Sequence, residues 1–288
     1  MKLVSFRRGE ALQPGALVDG HVADLSAAAA SLLDIISSNH EQNWLDQAVR
    51  KAPRLPIGSA QLVAPIPLPR RNIFCIGKNY AAHAREFQQS GFDATSSGQD
   101  VPTVPVVFTK APSSVIGPEA AILANLDPTN SVDYEGELGV VISRGGRGIS
   151  RTDAMDHVFG YTIINDVTAR TLQHKHKQWF LGKSIDSFCP MGPTLVTADE
   201  IPDPTRLKLE TRVNGELRQN AVVSDLIFDI PTLIETISRG MTLMPGDIIA
   251  TGTPEGVGIG FTPPKYLNSG DTVAITIDPI GTLTNAVH

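Results

Sequence analysis

Residues 133–142 have the sequence Asp133-Tyr134-Glu135-Gly136-Glu137-Leu138-Gly139-Val140-Val141-Ile142, a strand-like run that begins with charges. Its second half is apolar and rich in β-branched residues, which favour strands. Its first half carries two glutamates where core residues would be expected. Side chains two positions apart in a strand project from the same face, so Glu135 and Glu137 should point together, while Gly136 leaves the opposite face bare.

Similar strand patterns recur from Asn72 to the end of the chain, each bounded by Gly, Pro, Asn or Asp. They are NIFCIG, VPVVFT, ELGVVIS, GYTIINDV, PTLVT, LKLETRV, DIIATG and TVAITI. Residues 213–216 (VNGE) predict a tight hairpin, because Asn-Gly favours the positive φ values that such turns need. Helices are few: Tyr80–Gln89 is one and Pro231–Arg239 another. The pattern predicts an α+β fold that is mostly β.

The first 52 residues predict a small unit of their own. MKLVSF and ALVDGHVADL alternate like a pair of strands, and SAAAASLLDIIS and NWLDQAVRKA are typical of helices. Five prolines then recur at positions 53, 56, 65, 67 and 69, a spacing that disfavours regular structure. We therefore expect a small N-terminal domain with a proline-rich linker over residues 1–69, and a second domain over residues 70–288.

Composition limits the classes of function. The formal net charge of −6 over 288 residues argues against general binding to nucleic acid or to anionic membranes. The chain shows neither a signal peptide nor an apolar run of about 20 residues that could span a membrane. Cys75 and Cys189 lie in apolar surroundings and predict buried free thiols rather than a disulfide. A cytoplasmic protein is expected.

A third carboxylate extends the glutamate pair. Two like charges at this spacing repel each other, and a bound cation or a shared proton is the usual resolution. Asp166 ends the apolar strand 161–165, so it could lie beside a neighbouring strand that carries Glu135 and Glu137. Such an all-oxygen cluster selects Mg²⁺, Mn²⁺ or Ca²⁺ rather than zinc. The alternative is a solvated strand face, because Glu-x-Glu is a common pattern.

A histidine and a glutamate share one face of the first predicted helix. His83 and Glu86 are three positions apart and therefore within reach of each other. A carboxylate can fix the imidazole tautomer and raise its basicity, which suits a general base acting on water. The alternative is a surface helix in which the two residues are incidental.

Further polar residues follow Asp166. Arg170 and Gln173 share one face if residues 168–173 are helical, and could then address a substrate carboxylate. Lys183 lies in an apolar turn that contains glycine, where a partly desolvated ammonium could stabilise an enolate or oxyanion. A surface lysine is the alternative.

Two other motifs have weaker implications. Residues 250–258 form a Gly- and Thr-rich loop that could bind an anion but lacks the Gly-Lys-Ser/Thr ending of a phosphate-binding loop, so nucleotide binding is not expected. His174 and His176 are flanked by lysines, which discourage cation binding. We interpret that segment as an exposed loop.

Five segments, taken in order, resemble the fumarylacetoacetate hydrolase family, in its branch of shorter members that act on acylpyruvates, oxaloacetate and related oxo acids. The resemblance covers roughly residues 70 to 288. It rests on GKNYAAHAREF, DYEGELGVVI, GYTIINDVTARTLQ, LGKSIDSFCPMGP and MPGDIIATGTPEGVG.

The resemblance implies a role for each candidate residue. The family's metal ligands fall on Glu135, Glu137 and Asp166, which would bind Mg²⁺ or Mn²⁺, with Ca²⁺ as a further option. The remaining positions are the catalytic His83, Glu86 and Lys183 and the substrate-binding Tyr80, Lys110, Arg170, Gln173 and Thr253. Residues 106–110 (VVFTK) match a region that supplies a further carboxylate to the metal in the founding hydrolase, and we expect Lys110 to contact substrate instead.

The resemblance also implies a fold and an assembly. The family fold is a mixed β-sandwich roll with a small N-terminal α/β domain, and its members are usually homodimers. In this sequence a polar stretch over residues 88–100 follows the dyad helix. A long polar loop at this place could form part of a lid.

The expected function is metal-dependent hydrolysis of a C–C bond in a β-dicarbonyl oxo acid of the acylpyruvate or fumarylpyruvate type. His83 and Glu86 would activate water, and Lys183 would stabilise the leaving enolate. The alternative is oxaloacetate decarboxylation, or isomerisation or tautomerisation of a hydroxy-dienedioate or enol, at the same site. A metal-stabilised binding protein without catalysis is a third hypothesis.

Overall fold

Strands predominate in the computed structural model, which describes residues 1–38, 43–92 and 101–288 and confirms the mostly β prediction. Most of the predicted lid, residues 93–100, lies outside the described residues. The strands are β1 (Lys2–Arg8), β2 (Ala11–Val18), β3 (His21–Asp24), β4 (Arg54–Pro56), β5 (Gln61–Val63), β6 (Ile73–Gly77), β7 (Val106–Lys110), β8 (Val115–Ile116), β9 (Val132–Asp133), β10 (Gly136–Ile142), β11 (Val158–Asn165), β12 (Thr168–Ala169), β13 (Cys189–Thr197), β14 (Lys208–Val213), β15 (Glu216–Val222), β16 (Ile248–Ala250), β17 (Thr272–Ile277) and β18 (Gly281–Ala286). The α-helices are α1 (Leu32–Ser37), α2 (Trp44–Lys51), α3 (Ala81–Gln89), α4 (Arg170–His176), α5 (Phe180–Lys183) and α6 (Ile230–Ser238).

One large sheet runs through both predicted domains. Its order is β4-β3-β2-β1-β13-β11-β10-β16-β6-β7, with β5 paired to β1 and β8 paired to β13. The junction is the antiparallel pairing of β1 with β13, in which Lys2 lies opposite Val196 and Leu3 opposite Leu195. The N-terminal strands therefore extend the sheet that the second domain builds.

The proline-rich segment contains regular structure, so the prediction that it lacks any is wrong. β4 pairs with β3 and β5 pairs with β1, both antiparallel. Each of these strands is three residues long and is paired through a short register, with Pro56 at the end of β4. Proline is tolerated at strand ends and edges, where no ladder hydrogen bond from its nitrogen is needed.

A second sheet packs on the first. Its order is β15-β14-β17-β18, all antiparallel, and it shares one apolar core with the large sheet. The predicted hairpin joins β14 to β15, with φ of 51° at Asn214 and 82° at Gly215. The sheets approach closely at Gly136, where an added Cβ would lie 2.4 Å from Thr211 Oγ1 and 3.2 Å from Ile275. The face opposite the two glutamates is thus packed rather than bare.

The helices begin and end close to the predicted positions, with two exceptions. Ser31 caps α1 by accepting a hydrogen bond from Asp34 N, so the preceding alanine run, residues 27–30, lies outside the helix. Asp229 caps α6 in the same way, through Thr232 N. The second exception is that His174 and His176 are exposed residues of α4 rather than of a loop.

Two further expectations can be compared with the structure. Cys75 and Cys189 are buried free thiols, as predicted. Within the described ranges, no helix is both long and apolar enough to span a membrane.

The contact at Gly136 generates a stability prediction. Gly136→Ala should lower the free energy of unfolding by about 1–3 kcal/mol, because the new methyl group must push Thr211 and Ile275 apart in a packed core. The measurement is urea denaturation followed by circular dichroism. Gly240→Ala is the matched control, since a Cβ there meets nothing within 4 Å. Equal stability of both variants and the wild type would contradict the packing argument.

Candidate active site

The pairing of β10 with β11 brings the three predicted carboxylates together. Gly136 lies opposite Asn165, and Asp166 N donates a 2.8 Å hydrogen bond to Glu135 O. Asn165 Oδ1 accepts from Glu135 N at 3.0 Å, which fixes the start of β10. Asp166, just past the end of β11, therefore lies beside both glutamates.

The geometry of this cluster fits a hard divalent cation. One carboxylate oxygen from each of Glu135, Glu137 and Asp166 lies within 4.8 Å of the other two. The three residues are 4%, 1% and 0% exposed, respectively, so the solvated-face alternative does not hold. Buried carboxylates converging on one point are the oxygen donor set that Mg²⁺ and Mn²⁺ prefer.

Two buried lysine side chains contact the carboxylate cluster. Lys183 Nζ lies 2.8 Å from Glu135 Oε2 and 2.7 Å from Asp166 Oδ2. Lys110 Nζ lies 2.7 Å from Asp166 Oδ1 and donates to Val167 O at 3.0 Å. Each lysine is buried, so a buried carboxylate compensates each buried ammonium.

The charges around each group set opposite pKa shifts within the cluster. Burial, together with the nearby charges of Asp166 and Glu135, raises the pKa of Glu137. Burial also acts to raise the pKa of Glu135, but Lys183 and Arg170 outweigh it and hold that pKa below its ordinary value. For Lys183, burial acts to lower the pKa, yet Asp166 and Glu135 raise it, so its side chain stays an ammonium. A cation bound at the cluster would offset the repulsion from Asp166 and Glu135 and lower the pKa of Glu137.

The predicted dyad forms on α3. His83 Nδ1 lies 3.2 Å from Glu86 Oε2, and His83 is buried. Gly256 N donates to Glu86 Oε1 at 3.0 Å, so the carboxylate is held from both sides. An added Cβ at Gly260 would lie 2.0 Å from Glu86 Oε1, so only glycine admits the carboxylate there. The imidazole thus has a fixed partner at Nδ1.

Two amides and one hydroxyl of the Gly- and Thr-rich loop after β16 bind protein groups rather than an external anion. Gly252 N donates to Glu137 Oε2 at 2.8 Å, and Gly256 N is taken by Glu86. The Thr251 hydroxyl donates to Leu138 O at 2.9 Å. The expectation that these amides and hydroxyls receive an anion is therefore wrong for these three groups. The loop instead fixes two acids of the site.

Asp133 is a site residue that the sequence reasoning missed. It is fully buried and accepts from Gly258 N at 2.6 Å and from Ile259 N at 2.9 Å. It also accepts from Arg170 Nε at 2.8 Å, while Arg170 Nη1 lies 2.7 Å from Glu135 Oε1. Its place two residues before Glu135 was the available signal. Asp133 orients Arg170 and anchors the end of the loop.

A narrow cavity is lined both by His83 of the dyad and by Glu135 and Glu137 of the carboxylate cluster. Its aromatic wall consists of Phe87, Phe108 and Trp179, with Trp179 5.0 Å from Phe108 between ring centroids. Lys78, with φ of 56°, also lines the cavity. None of these four had been selected from the sequence. The other lining residues are Ile76, Gly77, His83, Glu135, Glu137, Arg170, Gln173, Lys183 and Thr253.

Two residues predicted to contact substrate, Tyr80 and Lys110, do not line this cavity. Tyr80 is the N-cap residue of α3, with a buried ring, and is outside the cavity lining. Lys110 lies behind Asp166 and is also outside the lining. Arg170 and Gln173 are both buried on one side of α4 and do reach the cavity, with Arg170 Nη1 3.3 Å from Gln173 Oε1.

The cluster generates a prediction on metal binding. Mn²⁺ at about 100 times its Kd should stabilise the wild type by about 2.7 kcal/mol and raise Tm by several degrees. Glu137→Gln should abolish this response and leave the metal-free Tm equal or higher, because it removes a carboxylate buried beside two others. Differential scanning fluorimetry measures both effects. The exposed Glu10→Gln is the control and should respond as the wild type does. An Mn²⁺ shift that survives in Glu137→Gln would place the cation elsewhere.

Comparison with known proteins identifies relatives of most of this chain. Residues 72–288 match the family model described as fumarylacetoacetate (FAA) hydrolase C-terminal. Oxaloacetate tautomerase YisK of Bacillus subtilis (strain 168) is 58% identical over 231 residues, which cover 80% of this chain and 74% of that protein.

Two solved structures show the same fold over the full chain. Fumarylacetoacetate hydrolase from the psychrophilic Exiguobacterium antarcticum is 45% identical with a TM-score of 0.86, covering 100% of this chain and 99% of that one. Maleylpyruvate hydrolase from Sphingobium sp. SYK-6, solved with manganese(II) and pyruvate, is 30% identical with a TM-score of 0.79, covering 100% and 98%. This chain belongs to the fumarylacetoacetate hydrolase family.

Proposed function

We propose that this enzyme interconverts the keto and enol forms of a small 2-oxo dicarboxylic acid, with oxaloacetate as the first substrate to test. The observation that carries the proposal is that His83, which pairs with Glu86, lines the same small cavity as the Lys183 ammonium and the carboxylates of Glu135 and Glu137. The 58% identity to a protein named oxaloacetate tautomerase supports this order of the hypotheses, which places tautomerisation ahead of hydrolysis.

We further propose that Glu135, Glu137 and Asp166 hold Mg²⁺ or Mn²⁺. When bound there, the cation would supply a Lewis acid for the oxygens of the oxo acid and for the negative charge that develops on them. The complex of a related hydrolase with manganese and pyruvate supports both the metal and the class of ligand.

His83 carries the proton in the proposed reaction. Its Nδ1 is held by Glu86, so Nε2 is the nitrogen left to take a proton from C3 of the keto acid. Glu86 fixes the tautomer and stabilises the imidazolium that forms. The imidazolium then gives this proton to the oxygen on C2, which releases the enol and restores neutral His83, and the reverse sequence returns the keto acid.

Lys183 stabilises the charge that the proton transfer creates. Its pKa is raised by Asp166 and Glu135 despite burial, so it acts as a hydrogen-bond donor and not as a base. A fixed ammonium in a buried site favours the enolate oxygen over the neutral ketone. The aromatic rings of Phe87, Phe108 and Trp179 line the same cavity as Lys183.

Hydrolysis of a C–C bond in an acylpyruvate is the second candidate function. The same dyad suits activation of water, and the glutamate side chain keeps 17% of its surface exposed, which leaves an approach for water. The 30% identity to a maleylpyruvate hydrolase supports this candidate.

The first functional prediction concerns the dyad. The wild type with Mg²⁺ should accelerate the conversion of enol oxaloacetate to the ketone, and His83→Asn should reduce kcat by about 10²–10⁴, the usual contribution of general base catalysis. Ultraviolet absorbance of the enol follows the reaction. His176→Asn, at an exposed histidine, is the control.

The products decide between the candidates. The proposal fails if the wild type does not accelerate tautomerisation, or if His83→Asn retains full activity. Release of pyruvate from oxaloacetate would instead indicate decarboxylation, and cleavage of an acylpyruvate would favour the second candidate.

The second functional prediction separates turnover from metal binding. Lys183→Met should reduce kcat by about 10²–10³, as expected when one donor to a developing oxyanion is removed. It should also strengthen Mn²⁺ binding, because the ammonium lies 2.7 Å from an oxygen of the cluster and repels a cation there. Calorimetric titration with Mn²⁺ measures the second effect, with the exposed Lys51→Met as control. Weaker Mn²⁺ binding in Lys183→Met would contradict this reading of the lysine.

A further inference from the structure

We infer that Gln219 is a positioning residue that turns the hydroxyl proton of Thr253 toward the substrate. The inference rests on the proposed function, because it assigns Thr253 as a donor to an anionic oxygen of the oxo acid. Gln219 lies on β15 in the second sheet, outside the cavity lining, and is 1% exposed. The strand ELRQNAV gave no sequence signal for such a role.

Three hydrogen bonds hold the amide of Gln219. Its Nε2 donates to Thr253 Oγ1 at 2.7 Å and to Pro254 O at 2.8 Å. Its Oε1 accepts from Gly136 N at 3.0 Å. The side chain therefore bridges the strand that carries the two glutamates and the loop that carries Thr253.

Backbone groups fix the orientation of this amide. The peptide N–H of Gly136 can only donate, and the carbonyl of Pro254 can only accept. A reversed amide would set two donors against each other at Gly136 and two acceptors at Pro254. The NH₂ group of Gln219 must therefore face Thr253, and the threonine oxygen must accept.

The direction of that bond determines what the Thr253 hydroxyl can do. A hydroxyl has one proton to give and two lone pairs, and Gln219 occupies one lone pair. In the part of the chain that the structure describes, Thr253 donates its proton to no protein group. Thr253 is 2% exposed and lines the cavity together with Glu137 and Lys183. Its free proton is thus available to a ligand in the cavity.

Accepting a hydrogen bond also makes the hydroxyl a better donor. Donation from the amide polarises the O–H bond, and hydrogen bonds in such a chain strengthen one another inside a protein. The fitting ligand group is an oxygen with negative charge, either a carboxylate or an enolate. Gln219 would then act on the reaction through Thr253 without touching the substrate.

A double-mutant cycle tests the inference. Thr253→Val, Gln219→Met and the double variant are compared for kcat with oxaloacetate and for Kd with oxalate in the presence of Mn²⁺. Each single change should reduce kcat and weaken oxalate binding by about tenfold, the scale of one hydrogen bond to a charged group. In the Thr253→Val background, Gln219→Met should add less than about a threefold loss, because both changes remove the same donor. Gln61→Met, at an exposed glutamine, should change neither quantity.

Two results would overturn the inference. One is a full, multiplicative loss from Gln219→Met in the Thr253→Val background, which would indicate a structural role through Gly136. The other is unchanged kcat and oxalate affinity in the single Gln219→Met variant. Oxalate binding keeps the test separate from the proposed function, since the cycle in Kd can be completed even if the wild type does not turn over oxaloacetate.

A second variant covers a failure of Gln219→Met to fold. Gln219→Glu keeps an acceptor for Gly136 N, and its carboxylate accepts a hydrogen bond from the Thr253 hydroxyl instead of donating one to it. It should lose kcat and oxalate affinity as Thr253→Val does, with no further loss when the two are combined. Wild-type behaviour of Gln219→Glu would contradict the proposed direction of the hydrogen bond.

Discussion

The burial of three carboxylates at one point is the constraint on which the rest of the site depends. In a medium of low dielectric constant, each ionised acid must find a cation or a hydrogen-bond donor. Asp166 forms ion pairs with Lys183 and Lys110, and Glu135 forms one with Arg170. Glu137 accepts a hydrogen bond from the Gly252 amide. Groups from β7 to the loop after β16 thus contact the three buried carboxylates. Burial and the charges of Asp166 and Glu135 raise the pKa of Glu137, while Lys183 and Arg170 hold the pKa of Glu135 below its ordinary value.

The same constraint links the cluster to the proton-transfer groups. Gly252 and Gly256, four residues apart on one loop, bind Glu137 and Glu86, and Asp133 anchors the end of that loop. A displacement of the loop would therefore move an acid of the cluster and the carboxylate that orients His83 together. Coupling of this kind keeps the base and the charge-stabilising groups in a fixed relation.

Local periodicity predicted a large part of the fold and of the site. The spacing of two in Glu135–Glu137 and of three in His83–Glu86 determines which side chains share a face, and the Asn214–Gly215 turn follows from backbone sterics. Long-range pairing was beyond such reasoning. Gln219 and Asp133 acquire their roles only through contacts with Thr253 and with the loop amides, which no local pattern contains. The proline-rich segment was misjudged because its two strands obtain their hydrogen bonds from β3 and β1, far away in sequence.

The pairing of β1 with β13 has a consequence for how the protein can be divided. β13 is flanked by β1 on one side and, on the other, by β11, which leads into Asp166. Removal of residues 1–69 would leave β13 with a bare row of peptide groups and expose the apolar neighbours of Leu3, such as Leu195. An uncovered edge of this kind is a template for pairing with another chain. The N-terminal strands thus cover a sheet edge that would otherwise be open to pairing with another chain.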